Sequence, residues 1–442
     1  MVIDAADPSS HGSDPASNSA GAPPTAPPPK RRLGRRFRIL WATFGFTSLG
    51  DGFIYGAVPL LAVVVDPHPV AVSTVVAANS LPWLLLGVHA GAIADRFERA
   101  RVMALSNLFR AFVLAGMTLV VAMHTIDLPL LILLVLSEAS GRAVYYAASQ
   151  AALPELIEQR DFTRANGILF GTEAATENLA GPVFGTIIFS IGQALPFLSD
   201  GIAMTISGFS LLGFRTKRRV SEPAAPKTRM SEGLRHLLGN RDLRVLVSLI
   251  ASLAGLQGLV TGVIVLVATK DWHVSTSFYG AFVATQAVGN MAGGFLADKV
   301  ARSFGTVQTV LGAALLSALG YFAMSIATSW LWAGVAFTGV GFAVGCGGVV
   351  AVSLRQRLTP DELMGRVTSA WRGLVWGAGP LGALAAGGLA VAGGLRLPLY
   401  LAAGLQLLAA CVLARPLVRA IAAVERRGEG EAREAGQSAA PA

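Results

Sequence analysis

Seven ionisable residues interrupt apolar stretches in the first half of this chain: Asp51, Arg110, Glu138, Arg142, Glu173, Glu177 and Asp200. At membrane depth each costs about 2.5–3.5 kcal/mol on insertion scales, so each must face a cavity or a partner. Glu138 and Arg142 stand i, i+4 on one helix face. Their pairing either only offsets that cost or leaves one of them turned to a cavity. Glu173 and Glu177 share the spacing but carry the same sign. Like charges one turn apart repel, so one of the two is expected to hold a proton, unless Glu173 sits at the water interface. Asp51 lies near the middle of the first apolar stretch, between Gly50 and Gly52. It suits a proton carrier, a ligand for a cation, or a hydrogen bond that fixes helix packing. The second half offers only Arg372, so protonation chemistry is expected in the first half. Asp200 and His89 read as less informative, His89 as a packed polar residue.

The elements that carry these residues are membrane helices. The chain has 442 residues, 53% hydrophobic and only 14% charged, with mean hydropathy +0.58. A soluble domain is about 25% charged, which excludes an ordinary soluble enzyme. Fifty glycines spread through the apolar stretches suit closely packed membrane helices. The two cysteines, Cys346 and Cys411, give no disulfide framework and no metal spacing. Stretches of about 20 apolar residues number twelve: 38–65, 70–94, 102–123, 127–152, 163–189, 193–214, 243–268, 275–298, 304–326, 328–354, 365–391 and 395–417. An all-α membrane protein of two six-helix halves, 37–214 and 243–418, is therefore expected. The basic segment 215–242 is expected as a cytoplasmic linker. The segments 1–36 and 419–442 are expected as disordered cytoplasmic tails.

Charge placement agrees. With the N-terminus on the cytoplasmic side, nearly all of the 35 Lys and Arg residues fall in or beside cytoplasmic segments, as the positive-inside rule requires. The run Lys30-Arg31-Arg32-Leu33-Gly34-Arg35-Arg36 follows no apolar signal region. Standing directly before the first span, it reads as a juxtamembrane clamp on the lipid bilayer rather than a nucleic-acid site. The bias to Arg, Ala and Gly fits a GC-rich bacterial genome, hence a bacterial cytoplasmic membrane.

The halves repeat at an offset near 200 residues. Gly91-Ala92-Ile93-Ala94-Asp95-Arg96 matches Gly294-Phe295-Leu296-Ala297-Asp298-Lys299. Gln150 to Glu155 matches Gln356 to Asp361, and Gly181-Pro182 matches Gly379-Pro380. A duplicated six-helix half with a substrate path between the copies is a transporter architecture.

At these positions the chain resembles the major facilitator superfamily. The loop Gly91, Asp95, Arg96, Arg99, Arg101 fits its signature between spans two and three, with Glu98 where a glycine is usual. Ala301 departs likewise in the second copy. Leu49-Gly50-Asp51, residues 161–167 and Asp361 to Arg366 resemble the branch that holds the enterobactin exporter and related multidrug efflux proteins. The resemblance implies the major facilitator fold and a latch near Gly365-Arg366. Asp95 would accept hydrogen bonds from a neighbouring helix N-terminus, while the arginines meet carboxylates or lipid phosphate. Asp298 would act likewise in the second half. The alternative is a purely topogenic basic loop. Arg142 resembles the span-four arginine of proton-coupled members, although Tyr146 stands where that motif has glycine.

Gly181-Pro182 and Gly379-Pro380 are expected to thin and bend spans five and eleven. Trp83, Trp371, Trp376, Tyr145 and Tyr146 suit either a cavity wall or lipid-facing packing. The phosphate-binding lysine loop, the Asp-Lys-Thr phosphorylation sequence and His-Glu-x-x-His are absent, so ATP drive and zinc hydrolysis are not expected. No cofactor and no metal are expected. The reading is a secondary transporter, not an enzyme, and a monomer. It would export small amphipathic molecules of drug or siderophore type in exchange for protons. The alternatives are a gradient-independent facilitator or importer, and a non-transporting receptor.

Overall fold

The computed structural model describes residues 34–158, 161–213, 230–360 and 363–438. The described residues form helices and short connections, with no strand among them. The helices are α1 (Arg35–Val65), α2 (Pro69–Arg96), α3 (Arg99–Ala122), α4 (Leu128–Leu156), α5 (Phe162–Glu173), α6 (Gly181–Ile191), α7 (Leu195–Leu212), α8 (Met230–Gly239), α9 (Arg241–Thr261), α10 (Ile264–Leu266), α11 (Thr276–Phe304), α12 (Thr306–Ile326), α13 (Trp330–Leu358), α14 (Met364–Gly393) and α15 (Leu397–Ser438). Ends are set locally. Proline in the first turn starts α2, α4 and α7, where no N–H is missed. Asp127 caps α4 by accepting from Leu130 N at 3.0 Å, and Asn240 caps α9 by accepting from Asp242 N and Leu243 N.

Among the described residues, ten helices are long and apolar enough to cross a membrane. The expected spans 163–189 and 275–298 are helical but fall outside those ten. The first is α5 and α6 joined by a wide π-turn segment, Ala174–Ala180. The second, α11, is diluted by Gln286, Asn290, Asp298, Lys299 and Arg302.

Three further expectations meet the structure. The N-terminal tail lies outside the described residues up to residue 33. Of the expected linker, residues up to 229 lie outside the described residues; α8 follows and buries Leu237 against α9 and α14. The C-terminal tail, expected to be disordered, is helical instead, with α15 running to Ser438. Its Ala, Glu and Arg content favours helix.

The internal repeat reappears as packing. In the first half α2 packs on α4, α3 on α4 and α7, and α1 on α6 and α7. In the second, α11 packs on α13, α12 on α13 and α15, and α9 on α14 and α15. Glycines make the equivalent crossings. Gly52 meets the backbone of Glu177 and Gly181, and Gly258 meets that of Gly379; Gly56 meets Pro182, and Gly262 meets Ala383. Residues without a Cβ let these helices touch backbone to backbone.

The halves join mainly through α2 on α14 and α6 on α11. At the end away from residue 35 they share one apolar core. Ala57, Leu61, Val72, Phe197, Val263, Leu266, Phe282 and Ala386 all belong to it. At the opposite, basal end the cores are separate. Phe37, Met103 and Leu153 lie in one, and Leu246, Leu354 and Val367 in the other. The protein is thus sealed at its far end and divided at its basal end.

Candidate functional site

A cavity of about 500 Å³ lies between the halves. From the first half it is lined by Asp51 and Tyr55 of α1, Asn79 and Trp83 of α2, Arg142, Tyr145 and Tyr146 of α4, and Glu173 and Glu177. From the second come Gln257 and Thr261 of α9, Tyr279 and Gln286 of α11, Phe337 of α13, and Trp376, Gly379 and Pro380 of α14. Its charge therefore comes from the first half, and the second supplies amides and rings.

The charged wall is held by a buried network that centres on Arg110 of α3, whose side chain is fully buried. Arg110 donates from Nε to Glu138 Oε1 at 2.8 Å and pairs through Nη2 with both Glu138 and Asp51. Arg142 pairs with Glu138 Oε2 at 3.8 Å and donates to Asn79 Oδ1 at 2.5 Å. Below them, Asn107 donates to Thr47 Oγ1 at 3.1 Å and to Ser207 Oγ at 2.9 Å. Buried charges demand such partners. The network ties α1, α2, α3, α4 and α7 together and leaves Asp51 and Arg142 on the cavity wall.

Glu177 sits in the π-turn segment and Glu173 immediately before it. A π-turn frees backbone from regular bonding and is frequent at functional sites. Both carboxylates are half-buried, and neither forms an ion pair among the described residues. Opposite them stands an aromatic cluster across the seam. Trp83 meets Tyr146 edge to face at 5.3 Å and Trp376 at 5.4 Å. The Arg372 guanidinium lies over Trp376 at 5.4 Å.

A family profile for the Major Facilitator Superfamily matches residues 40–381. This chain belongs to that superfamily. As a major facilitator protein it is a multi-pass membrane transporter rather than an enzyme. It is 28% identical over 381 residues to the multidrug efflux pump Tap of Mycobacterium tuberculosis, covering 82% of this chain and 88% of Tap. It is 25% identical over 307 residues to the enterobactin exporter EntS of Escherichia coli, covering 68% of this chain and 72% of EntS. Among solved structures it resembles an inward-facing bacterial homologue of the iron transporter ferroportin. The TM-score is 0.68 at 15% identity, over 88% of this chain and all of that one. A bacterial homologue of the lysosomal transporter Spinster, inward-facing and unoccupied, gives 0.64 at 15% identity over 87% and 97%. These structural likenesses speak for the fold alone.

The sequence candidates of this major facilitator protein divide into two groups. Asp51, Glu138, Arg142, Glu173 and Glu177 converge on the cavity or on the network behind it. Of the latch candidates, those whose side chains are described are exposed or take other partners. Asp361 and the side chains of His89 and Asp95 lie outside the described residues, and Gly91 stands on α2 between the latter two. Arg96 is exposed and lies over the Phe97 ring. Arg99 pairs with Glu155 at 2.9 Å and donates to the Ala151 carbonyl. Asp298 pairs with Arg302 of its own helix at 2.5 Å, both largely exposed. Arg366 is taken by Glu232 of α8 at 2.7 Å. Gly181 and Pro182 begin α6 straight after the π-turn segment, and Pro380 sits inside an unbroken α14 beside the α9 crossing. Trp371 does not line the cavity. It is buried, with the Arg355 guanidinium 5.5 Å above its ring.

Sequence reasoning missed Asn79, Asn107 and the place of Arg110 at the centre of the network. Arg110 carried one usable signal: a lone basic residue in a span holding no acid.

Proposed function

We propose that this protein is a proton-coupled exporter of small amphipathic molecules that works by alternating access. The observation that carries the reading is the seam cavity, where three carboxylates (Asp51, Glu173 and Glu177) face rings from both halves. An amphipathic cation places its charge against the carboxylates and its apolar body against Trp83, Tyr146 and Trp376. A proton and such a substrate compete for the same carboxylates, which is the elementary requirement for exchange. Efflux by Tap and EntS, two relatives at modest identity, supports the direction.

The mechanism follows from the bistable ends of the bundle. The shared far-end core and the divided basal end support a state open toward the basal side. With both chain ends in the cytoplasm of a bacterial cell, that state faces inward. Substrate entering there displaces a proton. The backbone crossings at Gly52 and Gly258 stay fixed inside each half while the halves rock across α2–α14 and α6–α11. The protein acts as a monomer and uses no cofactor.

Proteoliposomes test the reading. A pH gradient is imposed, internal pH is followed, and lipophilic cations, antibiotics and siderophores are added in turn. Compound-triggered proton movement that is lost in Glu177→Gln supports exchange. Compound flux with no proton movement makes the protein a facilitator. No response across the panel removes the exporter assignment.

A further inference from the structure

Asp200 of α7 takes no part in the Arg110 network, yet it is fully buried and neither carboxyl oxygen has a hydrogen-bond partner. Its carboxyl lies against Gly50, where a Cβ would fall on top of it. It therefore stands one residue from Asp51, on the side turned away from the cavity, since Asp51 lines that cavity and Asp200 does not. The ionisable groups that act on it are Arg110 of α3, Asp51 of α1, and Glu138 and Arg142 of α4. The remaining helix against α7 is α6, which carries no ionisable residue.

The charges count unevenly. Two guanidinium groups, Arg110 and Arg142, stand among three carboxyl groups, Asp51, Glu138 and Asp200. Asp51 and Glu138 already neutralise the two cations. A third buried anion without hydrogen bonds would be uncompensated, whereas a neutral carboxyl costs far less.

Resting on the proton-coupled reading, we propose that Asp200 is the inner seat of the transported proton, which Asp51 exchanges with the cavity. In the arrangement seen, the proton is on Asp200, and Arg110 pairs with ionised Asp51. In the alternative, the O–H bond on Asp200 breaks and one forms on Asp51. Arg110 then turns to ionised Asp200, and the proton leaves from Asp51 to the cavity. Until that release the cluster keeps one proton and no net charge, so the internal exchange creates no uncompensated charge. Gly50 is the residue that allows the two carboxyls to share one guanidinium.

Infrared difference spectroscopy on the purified full-length protein tests this without a substrate. A protonated, unbonded carboxyl has a C=O stretch separate from the carboxylate bands. Wild type at neutral pH is expected to show it, and Asp200→Asn to lose it with an unchanged unfolding temperature, because a neutral amide replaces a neutral acid. Asp51→Asn is expected to lose the same band, because Asp200 must then ionise to balance Arg110. With Glu173→Gln/Glu177→Gln as the common background, so that no cavity glutamate contributes, a band that persists in Asp200→Asn overturns the proposal, as does one that persists in Asp51→Asn. The outcome is independent of flux. Proton-coupled transport in wild type without the Asp200 band would leave the exporter reading standing and place its proton elsewhere. The band without coupled transport would remove the exporter reading, and with it the transport role of Asp200.

Discussion

Replacing Arg110 with methionine isolates the energetics of the buried network. The side chain is fully buried and pairs with two carboxylates on two other helices. Methionine matches much of its length but none of its charge. Glu138 keeps Arg142 at 3.8 Å, so the loss concentrates on Asp51, which has no other ion-pair partner among the described residues. Removing one member of a buried pair costs about 3–5 kcal/mol, whereas replacing both by neutral groups is often near neutral. Arg110→Met is therefore expected to unfold far below wild type. Asp51→Asn/Arg110→Met, which keeps the Glu138–Arg142 pair, is expected to recover most of the loss. The double-mutant cycle should return a coupling of about 2–3 kcal/mol. The assay is thermal unfolding in one detergent, followed by tryptophan fluorescence. The reasoning is refuted if Arg110→Met unfolds with wild type, or if the double variant is no more stable than the single one.

Three other outcomes are expected. Gly52→Ala puts a Cβ 2.7 Å from the Glu177 carbonyl and from the Gly181 Cα, an overpacking worth about 1–3 kcal/mol; Gly116→Ala, which meets open space, should unfold with wild type, and equal unfolding temperatures for the two variants would contradict the crossing. Trp83→Ala removes both edge-to-face contacts, each worth about 0.5–1.5 kcal/mol. It should weaken tetraphenylphosphonium binding by up to about tenfold in calorimetry, and an unchanged affinity would take the aromatic wall out of the binding site. Glu232→Arg sets two like charges together at the α8–α14 contact. An exposed pair is worth about 0–1 kcal/mol, so amide exchange in 230–239 should rise by up to about fivefold and return in Glu232→Arg/Arg366→Glu; no change would mean that apolar burial alone holds α8.

What was legible in the sequence was mostly local or repeated. The Glu138–Arg142 pair needs only helical spacing, and it forms. The repeat at Gly181-Pro182 and Gly379-Pro380 surfaces as matched backbone crossings. What escaped depends on contacts between helices distant in the chain. Nothing in the spacing of Asp51, Arg110 and Glu138 shows that one guanidinium joins them. Asp200 reads as uninformative because its environment comes from α1, α3 and α4 rather than from its own neighbours. The pairing of Arg366 with Glu232 of α8 likewise joins positions far apart in the chain. The short stripe of Leu234 and Leu237 that docks α8 lies in a segment so rich in charge that it reads as a connector.

The network also constrains how the chain enters a bilayer. A helix such as α3 arriving alone would carry an unpaired Arg110 into hydrocarbon, at about 2.5–3.5 kcal/mol on insertion scales. Of its two acidic partners, Asp51 precedes it in the chain and Glu138 lies on the helix made next. The first four spans are thus expected to leave the insertion machinery as a group, with α3 retained until α4 is made. The matching helix of the second half, α12, carries no charge and so meets no comparable constraint. Two halves with one architecture would then be assembled in the membrane by different schedules.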